Sequence, residues 1–455
     1  MSDKLSNMMA CISNTSLIIH SIRIPQKGLI MNSKMTVYAG IGICICGILA
    51  MIYALNGESR ENTAGNTHAQ VNYYNQVAHY IAGIPADGHD AVKKLTATKA
   101  YRSYQKSAEG MWSSYQKRNL SKIRTFQERN LIRIQGDVVF YPFSGPDILN
   151  ALAFFPGAHT YIMVGMEPPG GFVDVVRLGA KNSAQGLIGL RESVRQIMGH
   201  NFFHTKIMKR NVGTTALTSV ASILQFFIVR SGFEVSHVRN ITFSPDGSII
   251  AYQPGRNAAA KKGKAATSLR PKAVEIVFHR KGSSEMKKVI YVKANMADSS
   301  FYRYSGFISY LLSRSDYITI LKAASYLMFR RQFDDVRNII LNRSQVVMQD
   351  SSGIPYHFFK DGRWDITFFG TYIRPIRLFA VRHQSDLAND MKKGRNRQAL
   401  PFYYGYTSTR PMGAHLIIAR KKKNAGGKEV VLDKNSYRGI ETIYHGKRTV
   451  IREFR

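Results

Sequence analysis

Apolar positions divide the chain into three regimes. From Val37 to Leu55 nineteen residues, VYAGIGICICGILAMIYAL, carry no charge, a length that spans roughly 30 Å as a helix. Through residues 91–135 apolar and aromatic positions recur at helical spacing, with SYQK at Ser103–Lys106 and again at Ser114–Lys117. The copies stand three helical turns apart, so Tyr104, Met111 and Tyr115 fall on one stripe beside Trp112. From 136 onward short apolar runs alternate with amphipathic stretches.

The runs DVVFYPF, TYIMVGM, NITFSP, SIIAYQ, AVEIVFHR, KVIYVKA and WDITFFG read as strands. Residues 183–198, 213–230, 316–330 and 333–341 read as helices. The uncharged stretch 211–229 places Thr214, Thr218, Ser222 and Gln225 on one side and Leu217, Val220, Leu224, Phe227 and Ile228 on the other, which predicts an amphipathic core helix rather than a membrane span. SPDGS at 244–248 predicts a hairpin, and HLIIARKKK near the C-terminus predicts further antiparallel pairing. The fold class is therefore α/β with a mixed sheet.

Domain organisation follows from the same pattern. Residues 1–34 form a tail, 35–56 a transmembrane anchor or signal peptide, 57–90 a linker, 91–135 a helical segment and 136–455 the α/β domain. Lys4, Arg23, Lys27 and Lys34 precede the apolar run against Asp3 alone. That bias keeps the tail in the cytosol and puts the main domain outside it, periplasmic or extracellular. The membrane, reached through 37–55, is the first expected partner.

Charge adds a second. Sixty-four Lys and Arg against 29 Asp and Glu give a net charge of +35, a field that draws polyanions: anionic lipid, glycan or nucleic acid. Two basic loop inserts, 254–272 and 420–428, extend from the α/β domain. Cys11, Cys44 and Cys46 are the only cysteines, which excludes a disulfide framework or thiolate metal site beyond residue 56.

Candidate chemistry centres on FYPFSGPD. Ser144, with Asp147 three residues on and Pro146 between, has the pattern of a capping box that starts a helix, and Ile148, Leu149, Leu152 and Phe155 supply that helix's apolar face. Amides at such a helix end, just past a strand, suit an anion. The next strand ends at Glu167, about 20 residues past the turn, where a carboxylate binds ribose in dinucleotide folds. Residues 137–171 thus resemble the first βαβ unit of a Rossmann-like domain, which implies Ser144, Gly145, Asp147 and Glu167 as ligand-binding residues for an anionic or nucleotide-like molecule. The resemblance lacks two of the three fingerprint glycines, and Pro146 removes an amide. FYPFSGPD with YIMVGMEP also resembles a group of uncharacterised bacterial exported proteins, which implies an exported location and no particular activity.

Other chemistry is thin. No catalytic residue is assigned; Asp350 and His357, which flank a Gly-Pro turn, are candidates for an acid/base pair only where the fold brings them to Glu167. His200 and His204 have zinc spacing but no third ligand, so no metal site is expected. Asp334 and Asp335, among Arg330, Arg331 and Arg337, read as surface ion pairs. No G-x-S-x-G elbow, P-loop, EF-hand or C₂H₂ finger is present. The sequence leaves any cofactor unidentified.

Overall fold

A computed structural model describes residues 70–200, 214–252, 272–394, 397–407 and 414–423. The apolar run 37–55, His204 and residues 254–271 and 424–428 of the basic inserts lie outside the described residues. Among those described, no helix is long and apolar enough to cross a membrane.

The polar linker expected up to residue 90 is in part a helix, α1, over 70–82. Tyr74, Val77, Ala78 and Ile81 recur at i, i+3, i+4 and i+7 and are all buried, so an apolar stripe hidden among Gln, Asn and His holds this segment on the core. The helical segment follows as α2 (Asp90–Thr96), α3 (Lys99–Tyr115) and α4 (Ser121–Asn130), the last two joined by a π turn at Gln116–Leu120. Tyr101, Tyr104, Ala108, Trp112 and Tyr115 form the buried stripe of α3. The extra residue of the π turn rephases the helix, and Leu120, Ile123 and Phe126 continue the buried face.

The α/β part begins with β1 (Val138–Tyr141), α5 (Ile148–Phe154) and β2 (Thr160–Gly165). Helices α6 (Ala180–His200) and α7 (Val220–Arg230) precede β3 (Phe233–Phe243), β4 (Ile249–Ala251), β5 (Ala273–Arg280) and β6 (Met286–Lys293). Then come α8 (Ser305–Leu312), β7 (Tyr317–Leu321), α9 (Asp334–Arg343), β8 (Ser344–Gln349), β9 (Trp364–Gly370), α10 (Ser385–Lys393) and β10 (His415–Lys421). All ten strands form one mixed sheet in the order β4-β3-β5-β6-β2-β1-β7-β8-β10-β9. The five central strands, β6 to β8, run parallel, and both arms are antiparallel.

Two apolar cores sandwich the sheet. Val139 and Tyr141 of β1 join α3, α4, α5 and α7 on one face, while Val138 and Phe140 join α8 and α9 on the other. The predicted hairpin at 244–248 closes with Ser244 N–H donating to Ser248 O at 2.9 Å. Helix α7 is buried on every side rather than amphipathic. Among its polar side chains, Gln225 Nε2 donates to Ala221 O and the Ser222 hydroxyl pairs with that of Ser219.

Residues 316–330 are not the expected helix. They hold β7, buried in the middle of the sheet, and a turn. A parallel strand covered on both faces is apolar at every position and loses the alternation that distinguishes strand from helix.

Candidate functional site

The crossover from β1 to β2 carries α5 on one face, and the connection from β6 to β7 carries α8 on the other. The chain thus leaves β1 by α5 on one face and β7 by α9 on the other, and the carboxyl ends of β1 and β7 flank the switch point where open α/β sheets bind ligands.

Asp147 follows β1 and Lys322 follows β7. Lys322 Nζ lies 2.6 Å from Asp147 Oδ2, with each side chain 1% exposed. The same carboxylate accepts from Tyr141 Oη at 2.9 Å, Asn150 Nδ2 at 2.7 Å and Asn150 N–H at 3.4 Å. Burial pushes the Lys322 ammonium below the ordinary lysine pKa, with the Asp147 charge opposing. Burial, then the charge of Asp147, keeps the Tyr141 hydroxyl protonated far above the usual tyrosine value.

Helix α5 therefore starts differently from the expected capping box. Asp147 itself is the N-cap. Ser144 Oγ donates to Gly145 O at 2.9 Å and toward Val164 O at 3.4 Å. Phe143 and Gly145 both take positive φ, which turns the chain before a helix can start. The position foreseen for an anion at this helix end is taken by the Asp147 carboxylate. Ser144, Gly145 and Asp147 are all buried.

Glu167 is buried beyond the end of β2. Its Oε2 accepts from Met166 N–H at 3.1 Å, and Tyr291 Oη donates to its carbonyl at 3.1 Å. A Cβ placed on Gly165 would stand 3.0 Å from Glu167 Oε2 and 3.1 Å from Gly145 Cα. Gly145 and Glu167 thus both lie close to Gly165, while Asp147 faces Lys322.

Asp350 stands one residue past β8 and is buried. It accepts from Ser352 N–H at 3.2 Å, Ser352 Oγ at 2.6 Å and Tyr406 N–H at 3.3 Å. Burial raises its pKa, opposed first by His415 and then by Ser352. The candidate partner His357 is exposed and packs against Phe358, the rings tilted, instead. The imidazole that the fold brings to the Asp350 turn is His415, which opens β10 and accepts from Ser351 N–H at 2.8 Å. Nor is Asp335 at the surface: it is fully buried, its N–H donating to Asp298 Oδ1 at 3.2 Å, while Asp334 pairs with Arg337 at 2.6 Å.

Backbone strain gathers at the same edge. Phe143, Ala323, Ser325 and Tyr326 are four of the five described non-glycine residues with positive φ, a conformation that costs about 1–3 kcal/mol per residue and concentrates where a fold positions working groups. The loop after Lys322 is tied to the Asp350 turn through Tyr326 Oη and Ser351 Oγ at 2.9 Å, and through Ser325 Oγ and Tyr406 Oη at 2.6 Å. Residues 371–384 lie across this junction. Phe379 packs on Tyr326 and Tyr406, ring centroids 4.9 and 5.3 Å apart, and Gln384 Nε2 donates to Ser351 O at 3.0 Å.

No protein-family model, curated protein or solved structure matches this chain. Among the described residues no three His, Cys, Asp or Glu side chains gather as a metal site. Lys322 and His415 were missed from sequence. The signal for Lys322 was available: like Glu167 and Asp350, it is a charged residue just past an apolar run, and parallel strands end that way at working edges.

Proposed function

We propose that this chain is an exported or membrane-anchored α/β protein whose working centre is the crevice between the carboxyl ends of β1 and β7. There it binds a small polar ligand, and Lys322 exchanges a proton with it. One observation carries the reading: a lysine with a lowered pKa, ion-paired to Asp147, is buried at the switch point beside strained backbone. A lysine in that state serves as a proton acceptor at lower pH than a solvated one.

The ligand class follows from the charges. Asp147 and Asp350 accompany a single lysine, and α5 has seven residues with a carboxylate already at its start. These groups favour a hydroxyl-bearing molecule, such as the sugar part of a nucleoside, over a bare phosphate. The parallel β1-α5-β2 unit with Glu167 beyond β2 supports a Rossmann-like reading of this half, in which Glu167 holds hydroxyls. Ser144 and Gly145 shape its turn. Export rests on the uncharged run 37–55 and the basic residues before it.

Native mass spectrometry of the full chain after exposure to a soluble metabolite extract tests the crevice. A retained adduct on the wild type that a folded Lys322→Met variant lacks supports the reading. Equal adducts on both place the ligand elsewhere.

A second reading, a non-enzymatic basic envelope protein that holds anionic lipid, glycan or nucleic acid, rests on the charge of +35 and on one exposed surface.

A further inference from the structure

The segment 371–383, TYIRPIRLFAVRH, has an inner and an outer side. Its inner side is fixed. Tyr372 is buried against His415, ring centroids 5.0 Å apart, and accepts from Gln384 N–H at 3.1 Å, while Phe379 sits on Tyr326 and Tyr406. Its outer side is apolar. Val381 is 91% exposed, Leu378 78% and Ile373 47%, the two most exposed of the described large aliphatic residues among them. An isolated exposed leucine is ordinary, but three aliphatic tips on one short, tied-down segment are not.

Charge decides what would cover them. Arg374, Arg377 and Arg382 interleave with the aliphatic residues, and 371–383 contains no acid. Arg382 lies over the Phe329 ring at 5.9 Å, beside exposed Arg330 and Arg331. The nearest acids in sequence are Asp386 and Asp390 of α10 and Asp365 of β9; Asp390 is engaged by Lys360 at 3.1 Å and Asp365 by Lys422 at 3.8 Å. Aliphatic tips that enter an acyl boundary, with guanidinium groups at headgroup level, form the pattern of an interfacial anchor on an anionic membrane.

We propose that residues 373–382 dock onto an anionic lipid bilayer, with Leu378 and Val381 entering the headgroup–acyl boundary and Arg374, Arg377 and Arg382 pairing with lipid phosphates. This deepens the polyanion reading and rests on it; it is independent of the chemistry assigned to Lys322. Docking here also sets the covered crevice against the membrane, since the inner side of the same segment lies over the Asp350 turn.

The chain's two tryptophans, Trp112 and Trp364, are both buried, so Val381→Trp gives a local reporter in the full chain. With vesicles of phosphatidylglycerol and brominated phosphatidylcholine, bromine is expected to quench most of the added emission. With zwitterionic vesicles it is expected to remain. Arg374→Ser/Arg377→Ser should weaken partitioning of the same reporter roughly thirtyfold, from about 1 kcal/mol per arginine. Equal quenching by both vesicle types, or none by either, overturns the proposal. Salt-sensitive vesicle binding without quenching at 381 also overturns this surface while leaving the polyanion reading standing, and the local readout separates docking here from insertion of 37–55.

Discussion

Lys322 and Asp147 form a buried contact of 2.6 Å between loops that follow two different strands. Taking two charges out of water is costly, and their attraction offsets that cost only while both partners remain.

Lys322→Met is expected to destabilise the protein by roughly 3–5 kcal/mol, because Asp147 is left buried without its counter-charge. Adding Asp147→Asn should recover part of that loss, since the amide still caps α5 without a charge. Calorimetric melting temperatures of the wild type, the single and the double variant measure this. A double variant less stable than the Lys322→Met single would show that the charge pair is not the source of the cost.

Gly405 should resist substitution. It has φ +70°, and a Cβ there would stand 1.8 Å from Asp350 Oδ2, inside a carboxylate already bound by Ser352 and Tyr406. Gly405→Ala is expected to lower stability by more than about 1 kcal/mol from conformation alone, with the clash added. Gly110, within α3 and with open space around its Cβ position, should behave oppositely: Gly110→Ala stabilises by about 1 kcal/mol. Paired denaturation curves check both signs.

Asp298 gives a pH dependence. Its carboxyl is pushed up from 3.8 to about 6, by burial first and by the charge of Asp335 next. Between those values the unfolded chain has released a proton that the folded chain keeps, so this group's contribution is full below pH 4 and is lost as pH rises through 6. Relative to the wild type, Asp298→Asn should gain stability from pH 4 to 6 by up to about 3 kcal/mol, less whatever solvent screening removes. A difference that stays flat across that range would rule the shift out.

Arg230 ties α7 to the N-terminal helices. Its Nε donates to Ala82 O at 2.7 Å and its Nη2 to Gly83 O at 3.1 Å, and Nη1 pairs with Glu109. It also lines a cavity of about 620 Å³ with Arg102 and Lys106. Arg230→Met frees those carbonyls, so limited proteolysis should cut between α1 and α3 sooner than in the wild type. An unchanged cleavage pattern would mean that apolar packing alone holds this layer.

Legibility from sequence followed the amount of alternation. β5 and β9 could be read to the residue because AVEIVFHR and WDITFFG are bounded by clear polar or glycine positions. β7 could not, because every one of its residues is buried and LKAASYLMF after it consists largely of good helix formers. That error hid Lys322, while Asp147 and Asp350 were found because their turns contain Gly, Pro and Ser. The choice of His357 over His415 shows a different limit. Proximity in sequence suggested one imidazole, while β10 returns from some 60 residues downstream to bring the other beside the β8 turn, a pairing that no local pattern carries.

Strand β9 bonds to β10 on one side, and β10 separates it from β8. The hydrogen-bonding groups of β8 and β9 that face each other across this gap must therefore wait, during synthesis, for residues 415–421 to emerge. This arm is keyed shut late, by the last-made of its described strands, and a nascent chain halted before that point would carry an open slot in the sheet, ready to receive any extended peptide within reach.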